Sequence, residues 1–193
     1  MDAVCVYCGS SPGDRPEYLD AAREMGRTLA ERDLTLVYGG GSVGMMGAVA
    51  DAVLDHGGEA VGVIPEALDA REVTHQELSD LRVVDSMHER KQTMADLADG
   101  FAALPGGLGT LEEICEILTW AQLGIHRDPC GFLAVEDYFD DLVSFFDHAT
   151  AQGFVSEDHR DLVLVADDPD DLLDRFEAYE PPEVPRWLDE SET

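Results

Sequence analysis

Four stretches of the chain carry chemistry by residue type and spacing: Arg90-Lys91, Glu112-Glu113, the glycine turn Gly39-Gly40-Gly41-Ser42-Val43-Gly44, and a second turn, Pro105-Gly106-Gly107-Leu108-Gly109-Thr110. A glycine turn that ends an apolar run and opens a helix lets backbone amides approach a phosphate at the positive end of the helix. Gly39-x-Gly41-x-x-Gly44 also has dinucleotide spacing, but it follows the second apolar run of the chain and not the first, which favours a monophosphate over a nicotinamide cofactor. A plain glycine-rich turn is the bland alternative. Glu113 could close a capping box with Thr110. Beside Glu112 at a helix N-terminus, which favours the ionised form, it could instead grip ribose hydroxyls or stabilise a cationic transition state, and it would be a poor proton donor. Arg90 and Lys91 fall within or beside the apolar stripe of Met87, Met94, Leu97 and Ala98, in the first two turns of a helix, where the dipole disfavours cations. Cations placed there need a partner, either an ion pair within the protein or an anionic ligand.

The elements that must position these residues follow from the hydrophobic pattern. Short apolar runs over 3–8, 34–38, 60–64, 81–84, 100–104, 131–135 and 162–165, bounded by Gly, Pro or Asp, read as strands covered on both faces. Helical patterns occupy 16–32, 45–56, 87–98, 111–123, 138–152 and 169–179, and Ser86-x-x-Glu89 opens the third with a capping box. This alternation predicts an α/β fold, a doubly wound parallel sheet with helices on both faces. Ligands of such sheets bind beyond the carboxyl ends of the strands, so the informative loops are Gly9-Ser10-Ser11-Pro12-Gly13, the two glycine turns and Pro65-Glu66. One domain over 1–180 and an acidic tail over 181–193 are expected.

The 193 residues hold 42 acidic and 12 basic side chains, a formal charge of −30. That balance excludes nucleic acid as a partner, because no basic stripe exists to neutralise a phosphate backbone. It also argues against a membrane, as does the lack of any apolar run of about 18 residues. Hydrophobic residues make up 45% of the chain, enough for a core, so the acidity describes a coat and not disorder. Lys91 is the single lysine, and sparse lysine within a carboxylate surface suggests a high-salt milieu. Met1-Asp2-Ala3 leads straight into an apolar run, so no signal peptide and a cytoplasmic location are expected. Cys5-x-x-Cys8 lies within a strand, where residues three apart face opposite ways, and the six histidines lack a ligand spacing, so no metal is expected. Asp167-Asp168-Pro169-Asp170-Asp171 reads as a solvated helix start.

Met87-His88-Glu89-Arg90-Lys91, followed by Pro105-Gly106-Gly107-Leu108-Gly109-Thr110-Leu111-Glu112-Glu113, resembles the LONELY GUY (LOG) family of cytokinin riboside 5′-monophosphate phosphoribohydrolases, long mislabelled as lysine decarboxylases. The likeness extends through Leu118-Thr119-Trp120-Ala121-Gln122-Leu123-Gly124-Ile125-His126 and, upstream, through Val6-Tyr7-Cys8-Gly9-Ser10-Ser11 and the first glycine turn. It implies a Rossmann-like homodimer, open to further assembly, that needs no cofactor and hydrolyses the N-glycosidic bond of a nucleoside 5′-monophosphate. By this resemblance Arg90 and Glu113 are catalytic. Glu72, Lys91, Gly106, Gly107, Leu108, Gly109, Thr110, Glu112 and Thr119 bind substrate, with Ser10, Gly40 and Gly41 on the phosphate side. A broader nucleotide nucleosidase and a non-catalytic nucleotide or cofactor carrier are the alternatives. A decarboxylase would need a Schiff-base lysine for pyridoxal phosphate, and Lys91 is the only candidate.

Overall fold

The computed structural model describes residues 1–69 and 74–182. In chain order its elements are β1 (Ala3–Tyr7), α1 (Pro16–Glu31), β2 (Thr35–Tyr38), α2 (Gly44–Asp55), β3 (Ala60–Pro65), α3 (Glu66–Asp69), β4 (Asp80–Val84), α4 (Met87–Asp96), β5 (Phe101–Ala103), α5 (Leu108–Gln122), β6 (Cys130–Leu133), α6 (Asp140–Ala151), α7 (Glu157–Arg160), β7 (Val163–Ala166) and α8 (Pro169–Glu177). The strands form one seven-stranded sheet in the order β4-β3-β2-β1-β5-β6-β7, every pairing parallel. The expected Rossmann-like doubly wound sheet is therefore present, and its strand order reverses at β1, between β2 and β5.

Alternation along β1 divides the core. Val4 and Val6 pack with Met25 and Leu29 of α1, Val49 and Val53 of α2 and Leu172 of α8. Ala3, Cys5 and Tyr7 face the other way, against Met94 of α4, Ile114 and Ile117 of α5, and Phe132 and Phe139. Cys5 and Cys8 accordingly sit in opposite cores, and burial pushes both thiols up, away from the reactive thiolate. Among the described residues no helix is long and apolar enough to cross a membrane.

Most element boundaries match the hydrophobic pattern within two residues. The exception that matters is α5, which starts at Leu108 with Gly107 as its N-cap and not near Thr110. Thr110 is thus inside the first turn, and no capping box with Glu113 exists. The short helices α3 and α7 were not expected, because one turn carries no periodicity. Residues 183–193 of the expected tail lie outside the described residues.

Candidate active site

The carboxyl ends of β1 and β5 open a crevice of about 320 Å³ at the point where strand order reverses, lined by Ser10, Tyr18, Met45, Gly106, Gly107 and Tyr138. Gly9 donates its amide to the Pro105 carbonyl at 3.0 Å, joining the first loop to the second glycine turn. The Tyr138 hydroxyl donates to the Gly106 carbonyl at 2.5 Å, a tie between distant parts of the chain that periodicity could not show.

The two helix ends that flank this crevice differ. At α2 the Met45 and Met46 amides both donate to the Gly9 carbonyl, at 3.0 and 3.2 Å. Two of the first-turn amides of α2 are thus spent inside the protein and are not offered to a ligand. At α5 the cap residue is Gly107, no side chain caps the first turn, and a Cβ built on Gly107 or Gly109 would meet nothing within 4 Å. The first-turn amides of α5, with open space over two glycines, form the better anion site.

Arg90 reaches this region from α4. It is 8% exposed, yet among the described residues its guanidinium is poorly satisfied: Nη2 donates to the Gly39 carbonyl at 3.4 Å, Nη1 lies 3.9 Å from the Met87 sulfur, and the buried Nε has no partner there. Nη2 stands 3.9 Å from Glu113 Oε1 of α5, and the two side chains are 10% and 13% exposed. A Cβ built on Gly39 would overlap Arg90 Nη2, so a side chain there would displace the guanidinium from this position. Desolvation by burial lifts the Glu113 carboxyl above the usual range. Arg90 opposes that shift and Glu112 adds to it. The shift runs opposite to the one expected from a helix N-terminus.

Lys91, the next residue, faces elsewhere. Its ammonium donates to Glu112 Oε1 at 2.6 Å and to Glu116 Oε1 at 2.9 Å, both on α5. Burial pulls its pKa down, but these two bonds more than offset it and hold the ammonium above the ordinary lysine value. Of the two partners open to Lys91, the structure supplies the internal ion pair, and Glu116 is the participant that spacing did not single out. Ser86 caps α4 as expected, its hydroxyl accepting from the Glu89 amide at 3.1 Å. Lys91 and Glu116 border a groove of about 590 Å³ with His88, Thr119, Trp120 and Ile125, and Thr119 spends its hydroxyl on the Cys115 carbonyl at 2.7 Å. Of the expected site residues, Ser10, Gly106 and Gly107 line the crevice, Leu108, Gly109 and Thr110 form the first turn of α5, and Arg90 meets Glu113 beside the Gly39–Gly41 turn. Lys91 and Thr119 line the groove, and Glu112 is joined to it through Lys91. Glu72 lies outside the described residues.

The parallel sheet, with an open helix end at its switch point and a buried Arg–Glu pair nearby, defines a Rossmann-like α/β protein. The sequence is 51% identical over 178 residues to the cytokinin riboside 5′-monophosphate phosphoribohydrolase LOG of Oryza sativa subsp. japonica, covering 92% of this chain and 74% of that protein. It is 49% identical, over 92% of this chain and 82% of the relative, to a cytokinin riboside 5′-monophosphate phosphoribohydrolase of Arabidopsis thaliana. The family described as "Possible lysine decarboxylase" matches residues 46–176. In fold the chain is similar to the molybdenum cofactor carrier protein of Chlamydomonas reinhardtii, with a TM-score of 0.70 at 20% identity over 92% of this chain and 96% of that one. The chain belongs to the LONELY GUY family.

Proposed function

We propose that this protein is an N-glycosyl hydrolase that cleaves a nucleoside 5′-monophosphate, adenosine 5′-monophosphate or a cytokinin riboside 5′-monophosphate, to free base and ribose 5-phosphate. The observation that carries this reading is the buried, under-bonded Arg90 facing a buried Glu113 beside the open first turn of α5. The 5′-phosphate sits on the α5 amides over Gly107 and Gly109, between the Ser10 loop and the Gly40–Gly41 turn. Arg90 takes the phosphate or ribose side with the donors that the described residues leave unused. Glu112, Lys91 and Thr119 form the rim.

The C1′–N bond breaks with its electron pair leaving on the base, which takes up a proton, and the ribose becomes oxocarbenium-like. The Glu113 carboxylate stabilises that charge and accepts a proton from water as the water oxygen bonds C1′. Burial raises its pKa and so makes it a stronger base than an exposed glutamate. Phosphate binding, remote from the breaking bond, holds the sugar in a reactive geometry. A decarboxylase role would need a neutral lysine amine, and Lys91 is held as an ammonium by two carboxylates.

The protein works as a homodimer in the cytoplasm. Helix α6 buries no residue, and Phe145 and Phe154 are 61% and 88% exposed, a face that a second copy would cover. The four cysteines are free thiols, which fits a reducing compartment. Chromatography of adenosine 5′-monophosphate incubated with the protein tests the reading: adenine and ribose 5-phosphate should appear in equal amounts. A carrier would bind the nucleotide and release no adenine.

A further inference from the structure

His75 lies outside every motif considered above, yet it is 7% exposed and spends its main chain and its ring on the first glycine turn and the helix that follows it. Its amide donates to the Gly40 carbonyl at 3.1 Å, and the preceding residue forms an isolated antiparallel bridge with Gly41. Its ring Nδ1 accepts the Glu77 amide at 3.2 Å, which leaves the proton on Nε2. Nε2 then donates to Asp51 Oδ1 of α2 at 2.8 Å.

The peptide geometry gives these contacts a consequence. Gly40 holds φ at +78°, a conformation that glycine adopts without strain. The carbonyl of a trans peptide and the amide that follows it point in opposite directions, so a Gly40 carbonyl fixed on His75 turns the Gly41 amide to the opposite face. The carbonyl just before, that of Gly39, receives Arg90 Nη2 at 3.4 Å. His75 and Arg90 thus hold consecutive carbonyls of one turn, and Asp51 anchors the His75 ring to the helix that the turn feeds.

We propose that His75 and Asp51 form a latch that sets the Gly39–Gly41 turn and, through the Gly39 carbonyl, the position of the Arg90 guanidinium for the bound sugar phosphate. Both are positioning residues. The inference rests on the proposed hydrolase reading for its ligand, but not for its geometry.

The test combines ribose 5-phosphate binding with amide hydrogen exchange in Asp51→Ala, Asp51→Asn, His75→Ala and each alanine variant combined with Arg90→Ala. Asp51 is 65% exposed, so its substitution leaves the core intact even if His75→Ala fails to fold. Asp51→Ala is expected to weaken ribose 5-phosphate binding about tenfold and to speed exchange of the His75 amide. Asp51→Asn, which keeps an acceptor for Nε2–H, should recover most of both. In the Arg90→Ala background the Asp51 substitution should cause no further loss of affinity, because the latch acts through Arg90. A general structural role would lower affinity equally in both backgrounds, and that result would overturn the proposal. Unchanged exchange at His75 in Asp51→Ala would overturn it too, whatever the ligand. If wild-type protein binds no ribose 5-phosphate, the hydrolase reading fails, and the exchange result still decides the latch.

Discussion

Arg90 and Lys91 are neighbours on one helix, and each meets a glutamate of α5, yet the two contacts are built differently. The Lys91 ammonium is paired with Glu112 and Glu116 at 2.6 and 2.9 Å, while Arg90 stands 3.9 Å from Glu113, with a buried Nε that has no partner among the described residues. A tight three-membered ion cluster across two helices stabilises their packing and commits two of the three ammonium donors. A buried guanidinium with spare donors costs stability in the empty protein and lowers that cost only when an anion or sugar arrives. One contact therefore fastens α4 to α5, and the other, one residue away on the same helix, is kept open for chemistry.

The largest expected effect breaks the open side. Glu113→Gln removes the base while keeping size and hydrogen-bonding capacity, and should lower adenine release from adenosine 5′-monophosphate by about 10²–10⁴-fold. Ribose 5-phosphate affinity, measured by calorimetry, should stay within about threefold of wild type. Wild-type-like turnover would remove Glu113 from the mechanism.

The next effect falls on the fastened side. Lys91→Met keeps the length of the side chain and deletes its charge, leaving Glu112 and Glu116 adjacent and unpaired. Because Glu112 is 55% exposed, the loss is discounted for solvent screening to about 1–2 kcal/mol, seen as a melting temperature lower by about 2–8 °C.

A smaller effect follows from the raised pKa of Glu113. Between the ordinary glutamate value and the raised native one, the folded state holds a proton that the unfolded chain has released. Stability therefore falls as pH rises through that window, and above it the ionised buried carboxylate is a standing cost. Glu113→Gln should melt higher than wild type at neutral pH, and the gain should fade as pH falls through the native value toward 4.5. The same melting temperature difference at all pH values would contradict the burial argument.

Salt gives the smallest separation of the two regions. Going from low to molar potassium chloride should raise the melting temperature of wild type by a few degrees, about 2–4 °C per kcal/mol, as the −30 coat is screened. The same change should shrink the penalty of Lys91→Met. An unchanged wild-type melting temperature would remove the high-salt reading of the acidic surface.

The sheet could be read from sequence because buried parallel strands are short unbroken apolar runs. Even the edge strand β4, four of whose five residues are exposed, kept its Leu81 and Val83 signal. The start of α5 could not, since Gly107 caps without a side chain and the Thr110-x-x-Glu113 spacing imitates a capping box three residues too late. Arg90 and Glu113 were visible as odd residues for their positions, a buried cation and an extra carboxylate. Their unequal company was not, because Glu116, Tyr138 and His75 enter through packing between elements far apart in sequence. Helix periodicity places a side chain on a face and says nothing of which carboxylate waits across the gap.

The most direct measurement compares the two contacts in one assay: adenine released from adenosine 5′-monophosphate by wild type, Arg90→Ala and Glu116→Gln at a temperature where all three are folded. Arg90→Ala is expected to lose at least about a hundredfold, in the range for removal of a charge-stabilising donor. Glu116→Gln should stay within a few-fold while melting lower. Equal losses in the two variants, or an active Arg90→Ala, would contradict the division between an open catalytic pair and a fastening one.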